Sequence, residues 1–194
     1  MKTAVLMLAA GTASRMGRAK QLLPWGDTTL LRYTVLQVLG IGGTDVYVIT
    51  GAYAQKVSGE LNGLTVKLIH NADFKEGLGT SIGVGAKAIL QSEQPYTHIA
   101  IALADQPAIT TDYLDGLIEL SERSESIVAT RYGDRAGVPA VFPSAYFVHL
   151  AQLSGDRGAS GLLNSSDSDV LLIDPPFNLF DIDTPEDYRR YAGN

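Results

Sequence analysis

The sequence predicts an α/β fold of the Rossmann-like, three-layer α/β/α kind, with a mostly parallel, twisted sheet between two layers of helices. Three observations predict it. Short apolar runs alternate with helical patterns from the first residues onward, the first run is unbroken and ends in glycine, and no repeat, low-complexity tract or linker interrupts the alternation. Thr3–Ala9 (TAVLMLA) has the continuous apolar character of a central strand buried on both faces. Further strands are expected over 45–50, 66–70, 98–104, 127–130 and 170–173. Helices are expected over 29–39, 54–61, 80–91, 112–122, 145–153 and 185–191. The segment 136–142 (AGVPAVF) breaks the alternation and predicts a small β excursion beside the sheet.

The bulk properties narrow the classes of function. At 194 residues the chain suits one domain, 1–194, with a sizeable core. Hydrophobic residues make up 45%, charged residues 19%, and the net charge is -6 with no run of lysines or arginines. Binding to a nucleic-acid backbone needs clustered positive charge, so it is not the expected job; a nucleotide pocket needs only a few local cations. The absence of cysteine excludes disulfides, zinc thiolates, iron–sulfur ligation and thiol catalysis, and it is compatible with a reducing cytoplasm, the expected location. No apolar stretch approaches the ~20 residues that span a bilayer, so no membrane partner is expected. The opening apolar run lacks a clean small-residue cleavage region and reads as a buried strand rather than a signal peptide.

In parallel sheets, ligands collect beyond the carboxyl ends of the strands. Two loops would meet there. After the first strand come Gly11, Thr12, Ser14, Arg15, Gly17 and Lys20. Glycine permits close backbone approach to an anion, Arg15 offers a planar fork and Lys20 a compact charge. The spacing is neither a Walker A loop nor the dinucleotide G-x-G-x-x-G, and on its own it fits an ordinary strand–helix connection as well. After the fourth strand come Asp105, Gln106 and Pro107, where Asp105 is either a carboxylate facing the first loop or a turn-former.

A second carboxylate is expected from Asp181-Ile182-Asp183. Two residues apart in an extended segment, Asp181 and Asp183 point to one face and Ile182 to the other. Thr184, Pro185 and Asp187 are explained as a helix cap, a first-turn proline and a capping-box partner. Asp181 and Asp183 remain unexplained by that role, and either one is a candidate metal ligand. The segment GLGTSIGVG (77–85) reads as a helix start with permissive glycines, capped by Thr80 or Ser81. Trp25 is a wall of the site or, on the simpler view, a packing residue against the first helix. His70, His98 and His149 suit structural roles. Arg131, Arg135 and Arg157 are candidates for holding an acceptor's phosphate by charge type.

Six collinear segments carry a resemblance across nearly the whole chain: LAAGTASRMGRAKQLLPWGDTTLLRYTV, NADFKEGLGTSIGVGAKAI, LADQPAIT, RAGVPAVFP, SGDRGASGLL and DIDTPEDYRRY. In order and content they resemble the MobA-like NTP transferases, and more narrowly the MocA-type molybdenum cofactor cytidylyltransferase branch. The resemblance implies a nucleotide-diphospho-sugar transferase-like fold. It implies transfer of CMP or GMP from an NTP to molybdopterin with release of pyrophosphate, and Mg²⁺ as cofactor. Leu8, Ala9, Ala10, Gly11, Thr12, Arg15, Lys20, Gly79 and Ser81 would bind the nucleotide. Lys20, Arg15 and Asp105 would be catalytic, and Asp105 would join Asp183 or Asp181 at the metal. Ala10 stands where guanylyltransferase relatives commonly carry a second glycine, which favours CTP over GTP. Gly155-Asp156-Arg157-Gly158 matches a family motif without a derived role. A molybdenum hydroxylase is the implied client. The alternatives are a sugar phosphate or other small phosphorylated acceptor on the same fold, and a non-catalytic carrier of the molybdenum cofactor.

Overall fold

In the computed structural model, residues 1–12, 16, 19–165 and 169–192 are described. Seven strands form one sheet: β1 (Thr3–Ala9), β4 (Thr44–Thr50), β5 (Val66–His70), β6 (His98–Leu103), β7 (Ile127–Tyr132), β8 (Arg135–Pro143) and β9 (Val170–Ile173). Their spatial order is β5-β4-β1-β6-β8-β7-β9, and β8 alone runs antiparallel to its neighbours. A separate two-stranded hairpin, β2 (Pro24–Trp25) with β3 (Thr28–Thr29), lies between β1 and the first helix.

The period-2 alternation of β1 explains the layers. Ala4, Leu6 and Leu8 point to one face, where they meet α3 (Leu78–Leu90), α5 (Phe147–Ala151) and α6 (Ser160–Leu163). Val5, Met7 and Ala9 point to the other, against α1 (Leu30–Leu39), α2 (Ala54–Glu60) and α4 (Thr111–Ser124). Every residue of β1 is buried, as its unbroken apolar run requires. Full burial of each Leu, Ile or Val is worth about 1.5–3 kcal/mol, so this strand anchors both cores. Helix starts follow their caps. Thr29 accepts from Arg32 N–H, Thr110 from Tyr113 N–H, and Thr184 and Asp187 form the expected capping box on α7 (Pro185–Tyr191).

Three expectations need correction. The segment 136–142 is not an excursion beside the sheet: it lies within β8, inserted between β6 and β7. Gly137 and Pro139 disguise it, since both weaken a strand reading. α3 starts at Leu78, two residues early, after Gly77 at φ 111. Thr80 and Ser81 therefore sit inside the helix; Thr80 Oγ1 donates to the Gly77 and Asp73 carbonyls rather than capping. The helix expected over 145–153 is a short 3-10 turn, Ser144–Tyr146, followed by the five-residue α5. No helix among the described residues is long and apolar enough to cross a membrane.

Candidate active site

From β1 the chain moves to β4 and β5 on one side, while β6 lies on the other. The carboxyl ends of β1 and β6 thus flank a topological switch point, where an open α/β sheet leaves a crevice. A cavity of about 380 Å³ fills it. Leu8, Ala10, Gly11, Thr12, Lys20 and Asp105 line one end, and Phe74, Lys75, Gly77, Ser81 and Asp156 line the other. Ala9 does not line it; its side chain is turned into the opposite core. Ser14, Arg15 and Gly17 lie outside the described residues.

The first loop is held by residues that the sequence did not single out. Gln21 is 3% exposed, and its Nε2 donates to the Ala9 and Gly11 carbonyls at 3.2 and 3.1 Å. Gly51 lets the loop pass: a Cβ there would come within 2.5 Å of the Ala10 carbonyl oxygen. Lys20 then leads a 3-10 turn, Lys20–Leu22, that aims its ammonium across the crevice. Nζ donates to Asp105 and, at 2.9 Å, to Asp183 Oδ1. Three residues expected at the site are thereby brought to one point.

Asp183 belongs to no strand, so its position needs another explanation. Ile182 N–H donates to the Asp105 carbonyl at 2.9 Å, which lays the acidic segment against the turn after β6. The Ile182 side chain is wholly buried with Met16, Leu23 and Leu30, while Trp25, Phe180, Tyr188 and Tyr191 pack around them. Downstream, Asp187 Oδ2 accepts from the backbone N–H groups of Asp183 and Thr184. Asp181 and Asp183 have different partners: Asp183 meets Lys20, whereas Asp181 Oδ1 accepts from Gln106 Nε2 at 2.8 Å. Trp25 packs against Tyr33 of α1 and Tyr188 of α7, and it does not line the cavity.

The glycines of 77–85 serve packing. A Cβ on Gly79 would come within 2.6 Å of the Ser154 carbonyl oxygen, and one on Gly83 within 2.7 Å of that of Leu153. The Gly79 amide N–H donates to the Gly155 carbonyl. Gly79 is thus placed under the 153–156 loop and not at the cavity, whereas Ser81 does line it, with its Oγ accepting from Asn71 Nδ2 at 2.9 Å. The Gly155–Gly158 turn carries Asp156 at this cavity and Arg157 at a second one of about 290 Å³, which Leu8 and Leu78 separate from the first. Arg135, Tyr132, Gly137 and Val138 also line the second cavity. Arg131 does not; it pairs with Asp174 at 3.1 Å. Of the histidines, His98 is buried, and none lines either cavity.

The charges at the switch point perturb one another. Burial pulls the Lys20 ammonium toward neutrality, but the Asp105 carboxylate, aided by Asp183, outweighs it and holds the pKa above the ordinary lysine value. Asp181 keeps an exposed flank, yet loss of hydration at its carboxyl, and then the charge of Asp105, raise its pKa. Asp105 Oδ1 is buried with no hydrogen-bond partner among the described residues. An orphaned carboxylate oxygen beside a second carboxylate suits a hard divalent cation that takes one or two carboxylates and completes its shell with phosphate oxygens. No larger metal-binding group of three such side chains occurs among the described residues.

Known proteins resemble this chain in sequence and fold. A nicotine blue oxidoreductase of Paenarthrobacter nicotinovorans is 32% identical over 178 residues, covering 87% of this chain and 85% of its own. The molybdenum cofactor cytidylyltransferase of Escherichia coli K12 is 26% identical over 184 residues, 94% of this chain and 92% of its own. The solved structure of Rv0371c from Mycobacterium tuberculosis H37Rv is 30% identical with a TM-score of 0.82 over the whole of both chains. Its complex with manganese gives 28% and 0.81, likewise over the whole of both chains. The MobA-like NTP transferase domain matches residues 5–170, a span that holds the switch-point crevice, its first loop and the turn after β6. With sheet order, crevice and sequence in agreement, this chain belongs to the MobA-like NTP transferase family.

Proposed function

We propose that the chain, as a single NTP-transferase domain over 1–194, transfers CMP from CTP to a molybdopterin-type acceptor and releases pyrophosphate. The observation that supports this most is Lys20, whose ammonium lies between Asp105 and Asp183 at the mouth of a crevice of about 380 Å³. In nucleotidyl transfer both reactants are anions, so the protein must neutralise and align rather than form a covalent bond. Asp105 and Asp183 would hold magnesium, which when bound supplies charge neutralisation and alignment of phosphate oxygens.

The remaining work falls to the chain's own groups. The Gly11–Thr12 backbone cradles the triphosphate, and Arg15 grips its β- and γ-phosphates. Lys20 is kept cationic by its two carboxylates and stabilises charge growing on the α-phosphate. The nucleoside points toward Gly77 and Ser81. The acceptor occupies the second cavity, with its terminal phosphate held by Arg135 and Arg157. That phosphate is ionised at neutral pH and attacks the α-phosphorus in line, so no general base is required. Ala10 favours CTP over GTP. A molybdenum hydroxylase would receive the product.

The name of the Paenarthrobacter relative favours a second reading, an oxidoreductase on the same fold. One preparation tests both: pyrophosphate release from CTP or GTP with Mg²⁺ and molybdenum-loaded molybdopterin, beside electron transfer from a supplied donor to a supplied acceptor. Acceptor-dependent release with CTP is expected. GTP used as well or better overturns the base preference, and release with neither nucleotide overturns the molybdopterin acceptor.

A further inference from the structure

The turn after β6 carries two polar side chains, and the proposed chemistry uses only Asp105. Gln106 follows it, is 2% exposed, and lies in neither helix nor strand. Burying an amide with unmet donors is costly, so its contacts indicate its purpose. Its Nε2 donates to Asp181 Oδ1 at 2.8 Å and to the Tyr132 hydroxyl at 3.1 Å. That hydroxyl donates onward to the Val138 carbonyl at 2.6 Å. The Tyr132 ring lies over Gly137, where a Cβ would come within 2.7 Å of it. Tyr132, Gly137 and Val138 all line the second cavity. A continuous chain of hydrogen bonds therefore runs from that cavity's wall to the acidic segment.

The backbone of the acidic segment has its own supports in the Ile182–Asp105 bond and the buried Ile182 side chain. Neither of these orients the Asp181 carboxylate; Gln106 does. We propose that Gln106 is a positioning residue for the cation seat: its two N–H bonds pin the acidic segment at Asp181, two residues before Asp183, and tie that segment to Tyr132 on the acceptor side. Partners that orient ligands in this way typically change metal affinity by about 10–100-fold when removed. The inference rests on Asp105 and Asp183 forming the cation seat.

The test is Mn²⁺ binding by titration calorimetry, with CTP present, on three variants of the full chain whose melting is followed in parallel. Gln106→Met keeps length and removes both donors; its Mn²⁺ Kd should rise roughly 10-fold or more. Tyr132→Phe keeps the ring over Gly137 and removes one link, so the rise should be smaller, about 3-fold. If both stay within about twofold of the parent while Asp105→Asn loses binding, the positioning role is overturned and the cation seat stands. If Asp105→Asn binds Mn²⁺ unchanged, the seat itself is wrong and the inference falls with it. Should Gln106→Met fail to fold, Tyr132→Phe decides.

Discussion

On either face of the sheet, side chains such as Leu6, Ile101 and Leu114 are wholly buried in large clusters, whereas the acidic segment rests on a small one built from Met16, Leu23, Leu30 and Ile182. The large clusters fix the strand ends that offer Gly11 and Asp105. The small one fixes what comes from outside the sheet, the Lys20 turn and the Asp181–Asp183 arm. Fold stability and site geometry thus have separate supports, and substitutions can tell them apart.

The largest effect is expected where the site is struck directly. Lys20→Ala should lower kcat by ~10²-fold or more, as removal of a strong donor does in comparable electrostatic sites. Single-turnover measurement of pyrophosphate release would show it, and an undiminished rate would remove Lys20 from the chemistry. A paired substitution then sharpens the contrast. Leu114→Ala, in the large cluster, should cost about 2–5 kcal/mol by denaturant unfolding, with kcat of the folded fraction retained. Ile182→Ala should cost about as much or less, yet lower kcat by ~10-fold or more, because it loosens Asp183 relative to Lys20. Equal kcat in the two variants would break the comparison.

Asp181→Asn should give the smallest effect, with an instructive sign. A carboxyl whose folded pKa is raised is less comfortable ionised in the folded chain than in the unfolded one, so above the folded pKa it subtracts from stability. The asparagine variant should therefore melt higher than the parent near pH 7. The gap should shrink as pH falls through the folded pKa and vanish below the ordinary aspartate value of about 3.9. A variant that melts lower at neutral pH would mean that the Gln106 hydrogen bond outweighs the desolvation.

Much of this could be foreseen from the residues, and the exceptions have causes. The apolar run predicted β1, and its position at a strand end and the resemblance put Asp105 at the site. The choice between Asp181 and Asp183 stayed open, and nothing local foretold that Lys20 pairs with Asp105 and Asp183. β8 was hidden, since Gly137 and Pro139 argue against a strand unless the space for Tyr132 is known. Gly79 was a ligand contact only by the resemblance; glycine signals close approach, and sequence does not say whether a ligand or the 153–156 loop approaches. Gln21 and Gln106 gave no signal of spacing. A polar side chain directly following the charged residue at each loop, Lys20-Gln21 and Asp105-Gln106, was the one available hint.

The bond between Lys20 and Asp183 spans 163 positions. A ribosome making this protein exposes the ammonium long before its second carboxylate exists. The sheet strands that need only local partners can pair meanwhile, but the long loop closure that completes the crevice waits for the last helix. A nascent chain arrested before Asp181 would carry the nucleotide loop with Asp105 but without the second counter-charge, Asp183. The crevice is complete only once the acidic segment docks on the Asp105 carbonyl through Ile182.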